Sequence, residues 1–298
     1  MTSMRLYLRA VFLGATLAAP AAAQQKVEVR RAATRDVYVR VNGSYASLKV
    51  MAWPHDSLAL TGSLPKGARF EPAVSGQGKD ASKGAKFYVE AQQPAAATGT
   101  LELFVPPGAT VWAKAANARI EVSGVTGGLD LNLVGGAIVV RASPRELNIE
   151  SMDGTVDVTG TPGWMRVKTA SGDISVRGGC QDVGITTVGG NVTLADGAWE
   201  RARIEAVTGN VTVGGTLVRA GQLTVDSHSG TITLQLPPRA SLDIEATTIA
   251  GTILNRVNAR RPTPGREGRG EELSLYLGTG DARATLRSFK GSIQLDTR

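Results

Sequence analysis

The sequence predicts an all-β protein: a parallel β-solenoid (β-helix) of about nine coils, preceded by a small antiparallel β N-terminal region. Three observations predict this fold class. A repeat of about 18 to 21 residues covers more than half of the chain, each copy alternates apolar and polar residues, and most copies place a glycine at the same position. A repeat this short cannot bury its own apolar face, whereas copies stacked in parallel share one core.

The first 23 residues have the three-part layout of a secretory signal peptide. Arg5 and Arg9 precede an apolar run at 10–19, and small residues follow at 21–23. The apolar run is too short to cross a bilayer as a helix, and no later segment is long enough. The sequence therefore predicts cleavage after Ala23, no transmembrane segment, and an exported protein of the periplasm or cell surface.

Residues 24–110 contain strand-like runs at irregular spacing, separated by proline, glycine and serine. Runs of this kind predict short strands joined by turns. We expect this β-rich region to form an antiparallel sheet that caps the open end of the solenoid and blocks edge-to-edge association.

Residues 111–298 carry the repeat. In MRVKTASGDISV, which begins at Met165, the apolar positions alternate on both sides of Gly172, and this pattern predicts two short strands with one buried face. The glycine lies where the alternation shifts, which predicts a bend or a positive φ angle. Ala118 takes this position in the first copy, and the half copy at the end of the chain predicts an uncapped last coil. The predicted turn glycines are Gly136, Gly154, Gly172, Gly190, Gly209, Gly230, Gly251, Gly280 and Gly291.

The entry to the repeats resembles a known family. The run LELFVPPGATVWAKAANARIEV from Leu101 is similar to the bacterial putative-adhesin family of unknown function, in which short strands alternate with a ladder of glycines. The run MAWPHDSLALTGSLP resembles the strand that precedes this ladder in the family. The resemblance covers residues 27–298 and implies an exported, adhesin-like β-solenoid. It supplies no site residues, and Ala118 departs from its glycine ladder.

Few residues suited to catalysis or metal binding are present. The chain has one cysteine, Cys180, and two histidines, His55 and His228. This composition excludes an intramolecular disulfide and a cysteine metal cluster, so we predict no metal and no cofactor. Both histidines are predicted to be structural residues in turns. For Cys180 we favour a buried, inert thiol over an intermolecular disulfide.

Three acidic residues are predicted to share one outward position in neighbouring copies: Glu205, Asp226 and Glu245. Neighbouring coils lie about 4.8 Å apart, so these carboxylates could serve as the acid and base of a glycan-cleaving enzyme. The favoured interpretation is a solvated strand face, because Arg201 and Arg203 lie nearby. We therefore predict no catalytic residue and no enzyme.

A cluster of arginines lies in and beside a polar, proline-bearing insertion at 258–270, which we expect to be an exposed loop. It is a candidate polyanion-binding loop for acidic glycans or lipid headgroups, although a solvated loop is the favoured interpretation. It lacks the interleaved aromatic residues of a single-strand nucleic-acid binder. The candidate residues are Arg256, Arg260, Arg261, Arg266 and Arg269.

Three functions remain open from the sequence. The favoured one is an exported, non-enzymatic binding or scaffolding protein of the cell envelope, with surface glycans, lipopolysaccharide or proteins as partners and no nucleic acid. The alternatives are a carbohydrate-active β-helix enzyme that uses the acidic residues above, and a purely structural periplasmic protein. The oligomeric state is not determined by the sequence.

Overall fold

The computed structural model describes residues 24–74, 82–90 and 99–298, so the predicted signal peptide lies outside the described residues. Within these ranges the chain forms 25 β-strands, and a 3-10 helix spans Arg266–Gly268. The pairings are mostly parallel. The predicted fold class, an all-β parallel solenoid, is confirmed.

The strands have the following bounds in chain order: β1 Gln24–Ala32, β2 Tyr38–Gly43, β3 Ser47–Ala52, β4 Ser57–Pro65, β5 Arg69–Val74, β6 Gly84–Glu90, β7 Thr100–Val105, β8 Thr110–Ser123, β9 Gly128–Arg141, β10 Glu146–Ser151, β11 Thr155–Thr159, β12 Trp164–Thr169, β13 Ile174–Arg177, β14 Cys180–Thr187, β15 Val192–Ala195, β16 Ala198–Ala206, β17 Val211–Val213, β18 Thr216–Ser227, β19 Ile232–Leu236, β20 Leu242–Thr248, β21 Ile253–Asn255, β22 Thr263–Pro264, β23 Glu271–Leu277, β24 Ala282–Ser288 and β25 Ile293–Thr297.

Each coil contributes one strand to each of two parallel series, which we call the front and back sheets. The long strands β8 and β9 run through both. The front sheet stacks β6, β2, the first halves of β8 and β9, β10, β12, β14, β16, β18, β24 and β20. The back sheet stacks β7, β3, the second halves of β8 and β9, β11, β13, β15, β17, β19, β25 and β21.

The core lies between the two sheets. Inward side chains at the same position in successive coils, such as Ile149, Val167 and Ile185, are almost fully buried and stack on one another. The outward residues between them are partly or fully exposed. Alternation with one buried face is what the sequence predicts for each strand, and the buried stacks make one continuous core cluster from Val27 to Leu295.

The glycines of the repeat are required by close stacking at one corner of the coil. A Cβ atom on Gly190 would overlap the carbonyl oxygen of Gly172. A Cβ atom on Gly209, Gly230 or Gly291 would likewise overlap the carbonyl oxygen of the stacked glycine one level earlier. Among the predicted turn glycines, only Gly136 and Gly280 have a positive φ angle. The sequence predicts a bend or a positive φ at these glycines, and the positive φ is absent from most of them. Glycine is required there by the short distance between coils.

Buried hydroxyl groups secure the same corner. Thr187 Oγ1 accepts the backbone N–H of Gly190 at 3.1 Å, and Thr169 Oγ1 donates to Thr187 Oγ1 at 3.0 Å. Ser227 and Thr248 each donate to the carbonyl oxygen of the glycine three residues later. These bonds satisfy polar groups that the turn buries, which explains why a small hydroxyl residue often stands three positions before the glycine.

The N-terminal region contributes more to the solenoid than predicted. β2 and β3 pair in parallel with β8, and β6 and β7 stack on them as a further coil. The predicted antiparallel strands are also present: β5 pairs with β6, β4 with β7, and β1 with β4. They cover the outer edges at this end, as a capping region should.

The C-terminal coils stack out of chain order. β24 lies between β18 and β20, and β25 lies between β19 and β21. The last residues of the chain therefore form an internal coil, and the predicted uncapped end there is wrong. Gly291 stacks between Gly230 and Gly251, whereas Gly280 lies in the turn before β24 beside Tyr276, outside the glycine stack. The outermost front strand, β20, is covered by antiparallel β23.

Candidate functional site

A row of exposed side chains, mostly apolar, follows the glycine corner along the solenoid. Each member comes directly after the last buried residue of a front strand, and backbone bonds such as Ser171 N to Met152 O, Thr208 N to Val188 O and Ala250 N to Phe289 O hold successive levels in register. Met152 and Val188, which lie two levels apart with Ala170 between them, are 56% and 55% exposed. In stacking order, this apolar row is Val134, Met152, Ala170, Val188, Val207, His228, Phe289 and Ile249.

A second row of polar and charged residues lies beside the apolar row, on the outward face of the front sheet. Its members occupy one register position, as the pairs Glu150 with Lys168 and Glu205 with Asp226 illustrate. The row continues onto the capping strand β23, where Glu272 pairs with Thr247. At the N-terminal end the same register position continues through Asn42 and Tyr88 to Glu71 of the capping strand β5. In stacking order, the part of it that we call the charged row is Lys114, Asn132, Glu150, Lys168, Thr186, Glu205, Asp226, Arg287, Thr247 and Glu272.

Two shallow grooves run between the rows. One has a volume of about 380 Å³ and lies between Lys114 and Met152, and the other has a volume of about 610 Å³ and lies between Val207 and Phe289. Thr186 lines both, so they form one continuous surface. We call the two rows and their grooves the corner face.

The three predicted acidic residues do not form one row. Glu205 and Asp226 are register partners, but Asp226 is followed by Arg287, whose Nη1 lies 3.8 Å from its carboxylate. Glu245 lies in a different row, beside Thr285. The predicted alignment of Glu245 is wrong because Thr247, two residues later, takes the position of Asp226 in β20, and β24 also separates β18 from β20. Arg203 binds Glu205 at 2.8 Å, which agrees with a solvated, ion-paired strand face.

The arginine cluster lies at the C-terminal end of the solenoid. All five arginines are exposed, and Arg256 pairs with Asp296 at 2.9 Å. The insertion is not wholly irregular, because β22 pairs with β23 and a 3-10 helix follows. Val257, just before the insertion, packs against the core. A polyanion site there stays a prediction.

The histidines and the cysteine have separate surroundings. His228 belongs to the apolar row and stacks on Phe289 with ring centroids 5.0 Å apart, while His55 contacts Trp53 edge-on at 5.0 Å. Cys180 is buried, as favoured, and its thiol contacts the carbonyl oxygen of Asp182 at 3.3 Å. Burial raises the pKa of Cys180 to about 11. In the described part of the chain, no group of three or more His, Cys, Asp or Glu residues is placed to hold a metal ion.

A small cavity of about 170 Å³ lies at the opposite corner of the coils. Its cause is a register shift: residues 218–221 of β18 stand opposite the single residue Glu200 of β16, and Ala220 takes a φ of 60°. The indole of Trp199 fills part of the widened corner, and its Nε1 donates to Gly214 O at 2.9 Å. This widened corner accounts for the longer repeat spacing here.

The sequence interpretation missed the corner face. A signal was available, because the residue directly after the small hydroxyl or alanine of the motif is valine, methionine or alanine in the central copies. Alternation makes that position outward, and an outward position that stays apolar over successive copies indicates a contact surface.

Comparison with protein families decides the classification. A model of the Toastrack DUF4097 family matches residues 100–295. The chain belongs to this family. The match spans most of the solenoid and the corner face, and it confirms the resemblance to the adhesin-like family. No curated protein matches the sequence. Among the described residues of this Toastrack protein, no helix is long and apolar enough to cross a membrane.

A solved structure of low sequence identity shares the fold. A putative lipid binding protein from Parabacteroides distasonis is 12% identical with a TM-score of 0.51, over 91% of this chain and 96% of that chain. A putative adhesin from Parabacteroides merdae is 10% identical with a TM-score of 0.49, over 91% and 95% of the two chains. A putative adhesin from Bacteroides fragilis is 9% identical with a TM-score of 0.43, over 92% and 98%.

Proposed function

We propose that this Toastrack protein is an exported, non-enzymatic binding or scaffolding protein of the cell envelope, adhesin-like in its role, and that the corner face is its contact surface. The observation that carries the proposal is the apolar row on consecutive coils, in which every member except the half-buried Ala170 is exposed and every member except His228 is apolar. Exposed apolar residues in a contiguous strip mark contact sites more often than residues scattered singly.

The composition of the corner face suits a protein partner. An apolar strip bordered by charged groups has the anatomy of a protein interface, in which apolar side chains supply the driving force and the charged rim supplies orientation. The backbone bonds between levels hold the strip rigid, so little conformational entropy would be lost on binding.

The charged row favours binding over catalysis. Glu205 is held by Arg203, Glu150 lies 3.8 Å from Lys168, and Asp226 lies 3.8 Å from Arg287. Each of these carboxylates already faces a cation of the same chain, whereas glycoside hydrolysis needs two carboxyl groups that flank the scissile bond of a bound glycan.

The test uses the mature chain, residues 24–298, passed over immobilised lipopolysaccharide, peptidoglycan, a glycan array and the chain itself, with retention and cleavage followed together. The variant Met152→Asp with Val188→Asp places two charges in the apolar row. Leu254→Asp is the matched control, since Leu254 is an exposed apolar residue outside the corner face.

We expect saturable retention on at least one probe, a loss of at least tenfold in affinity for the double variant, and no loss for Leu254→Asp. Equal retention of all variants would move the contact surface elsewhere, and Arg260→Ala with Arg261→Ala would then test the arginine cluster. Glycan cleavage that Asp226→Asn abolishes would overturn the proposal in favour of an enzyme.

A further inference from the structure

We propose that the partner of the corner face is a second copy of the same chain, bound antiparallel. The twofold axis would lie between the level of Thr186 and Val188 and the level of Glu205 and Val207. This inference rests on the proposed function, because it names the occupant of the contact surface proposed there.

The order of charges along the charged row carries the inference. From Lys114 to Glu272 the signs are positive, neutral, negative, positive, neutral, then negative, negative, positive, neutral, negative. When this row is reversed and laid against itself, a cation faces an anion and a neutral residue faces a neutral one at every position except the central pair. A surface that meets its own reverse in this way is self-complementary.

The facing pairs follow from the register. Lys168 of one copy meets Asp226 of the other, and Glu150 meets Arg287. Lys114 meets Glu272, which is the member of the row that the capping strand β23 supplies. Each pair occurs twice by symmetry.

Existing ion pairs would be extended, not broken. Within one copy Glu150 already neighbours Lys168, and Asp226 neighbours Arg287. In the antiparallel pair these two doublets face each other and form a four-membered network with alternating charge. Charged networks contribute more than isolated surface pairs, which are nearly neutral in energy.

The apolar row is complementary about the same axis. Met152 meets the ring of Phe289, and the small Ala170 meets the larger His228. At the two remaining positions, Val134 meets Ile249 and Val188 meets Val207. A thioether beside an aromatic ring and a small side chain opposite a large one are both favourable packing arrangements.

Only the antiparallel arrangement gives this match. In this arrangement the twofold axis lies in the interface and perpendicular to the solenoid. It reverses the order of levels, and it places the charged row of one chain opposite the charged row of the other and the apolar row opposite the apolar row. A twofold axis along the solenoid would instead keep every residue at its own level and place the charged row of one chain opposite the apolar row of the other. Such a pair would bury charged groups against apolar side chains, which is unfavourable.

The paired surface is long and narrow. Ten levels at about 4.8 Å per step extend over roughly 43 Å. A strip of this length and about one side chain in width buries an area near the lower limit for specific interfaces, on the order of 1,000 Å² in total. We therefore expect a reversible dimer that is populated at micromolar concentrations and weakens as salt screens the charged row.

Sedimentation of the mature chain, residues 24–298, tests the inference with two single charge reversals. Lys168→Glu places two acids opposite each other in the homodimer, and Asp226→Lys places two cations opposite each other. When the two variants are mixed, the glutamate introduced in one chain faces the lysine introduced in the other, and all remaining charged pairs also match. Lys49→Glu, on the outward face of the back sheet, is the control.

We expect the wild-type chain and Lys49→Glu to dimerise, each corner-face variant alone to dimerise at least tenfold more weakly, and the equimolar mixture to recover wild-type affinity. Recovery in the mixture also shows that both variants are folded. Dimerisation of each variant alone as in the wild type, or failure of the mixture, would overturn the inference. A monomeric wild-type chain whose retention on lipopolysaccharide or glycan still requires Met152 and Val188 would overturn it while the proposed function stands.

Discussion

The central coils, β10 to β17, and the C-terminal coils, β18 to β25, use the same motif but stack differently. In the central coils each copy lies directly on the copy before it in the chain, with register partners such as Thr169 and Thr187 separated by 18 residues. In the C-terminal coils the chain builds an outer level first, adds the antiparallel β23, and returns to fill the level beneath. The motif therefore determines the shape of a coil, and long-range strand pairing determines its level.

This stacking order has a consequence for the edges of the sheets. An end coil presents unpaired backbone groups that invite association with other chains. At the C-terminal end the outermost front strand, β20, is paired on its far side with β23. At the N-terminal end β4 and β5 cover β7 and β6 in the same antiparallel way. Both ends thus use antiparallel strands as caps, while the central coils need none.

The largest expected effect is on the free energy of unfolding, and it distinguishes the observed stacking of the C-terminal coils from stacking in chain order. It is expected at Leu286. Leu286 is fully buried in β24 between β18 and β20, whereas Leu275 is buried in the capping strand β23. We expect Leu286→Ala to lower the free energy of unfolding by about 4 kcal/mol and Leu275→Ala by about 2 kcal/mol, because an internal site relaxes less around a cavity. Urea unfolding measures both. A larger loss for Leu275→Ala would support stacking in chain order.

A smaller effect is expected at the stacked glycines. Alanine at Gly190 in the central coils, or at Gly291 in the C-terminal coils, would overlap a carbonyl oxygen of the neighbouring level, whereas Gly189 has ordinary space. We expect Gly190→Ala and Gly291→Ala each to cost about 2 kcal/mol in urea unfolding. The matched control Gly189→Ala should change stability by less than about 0.5 kcal/mol. If Gly291→Ala were as harmless as the control, Gly291 would not belong to the stack.

The last prediction concerns the reactivity of the Cys180 thiol, which lies in the central coils. Because burial raises its pKa to about 11, only a small fraction of the thiol is ionised at pH 8. We expect a thiol reagent to react on the order of 100-fold more slowly with the folded than with the unfolded chain. The rate should rise with pH until about pH 11, since the thiolate is the reactive form. Equal rates in both states would mean that the central coils open readily.

Much of the fold was predictable from local features. Alternation around Gly172 and its equivalents predicts two strands and a corner, and a fixed period predicts parallel stacking. The level of the last coil was not predictable, because it depends on the pairing of β24 with both β18 and β20, which are far apart in the sequence. The exclusion of Gly280 from the stack had a local signal, since Leu277 and not a small hydroxyl residue stands three positions before it. The reason for glycine was also missed, since the distance to the next coil is not a property of one copy.

The candidate site was predictable only in part. The adjacency of Glu205 and Asp226 follows from two successive copies of the motif and is correct. The placement of Glu245 failed because Glu245 lies six residues before Gly251, whereas Asp226 lies four residues before Gly230. It also assumed that the next copy in sequence is the next coil in space. The apolar row was present in the sequence as an outward position that remains apolar, but its continuation through Phe289 and Ile249 depends on the stacking order.

Antiparallel pairing of the corner face with itself is the central claim, and one disulfide measurement tests it directly. Met152 and Phe289 lie five levels apart, roughly 24 Å within one copy, which is too far for an intramolecular disulfide. In a background of Cys180→Ser, the double variant Met152→Cys with Phe289→Cys should oxidise to a covalent dimer whose peptide map contains the 152–289 bridge. A chain that stays monomeric under oxidation, or one that forms only 152–152 bridges, would contradict the claim.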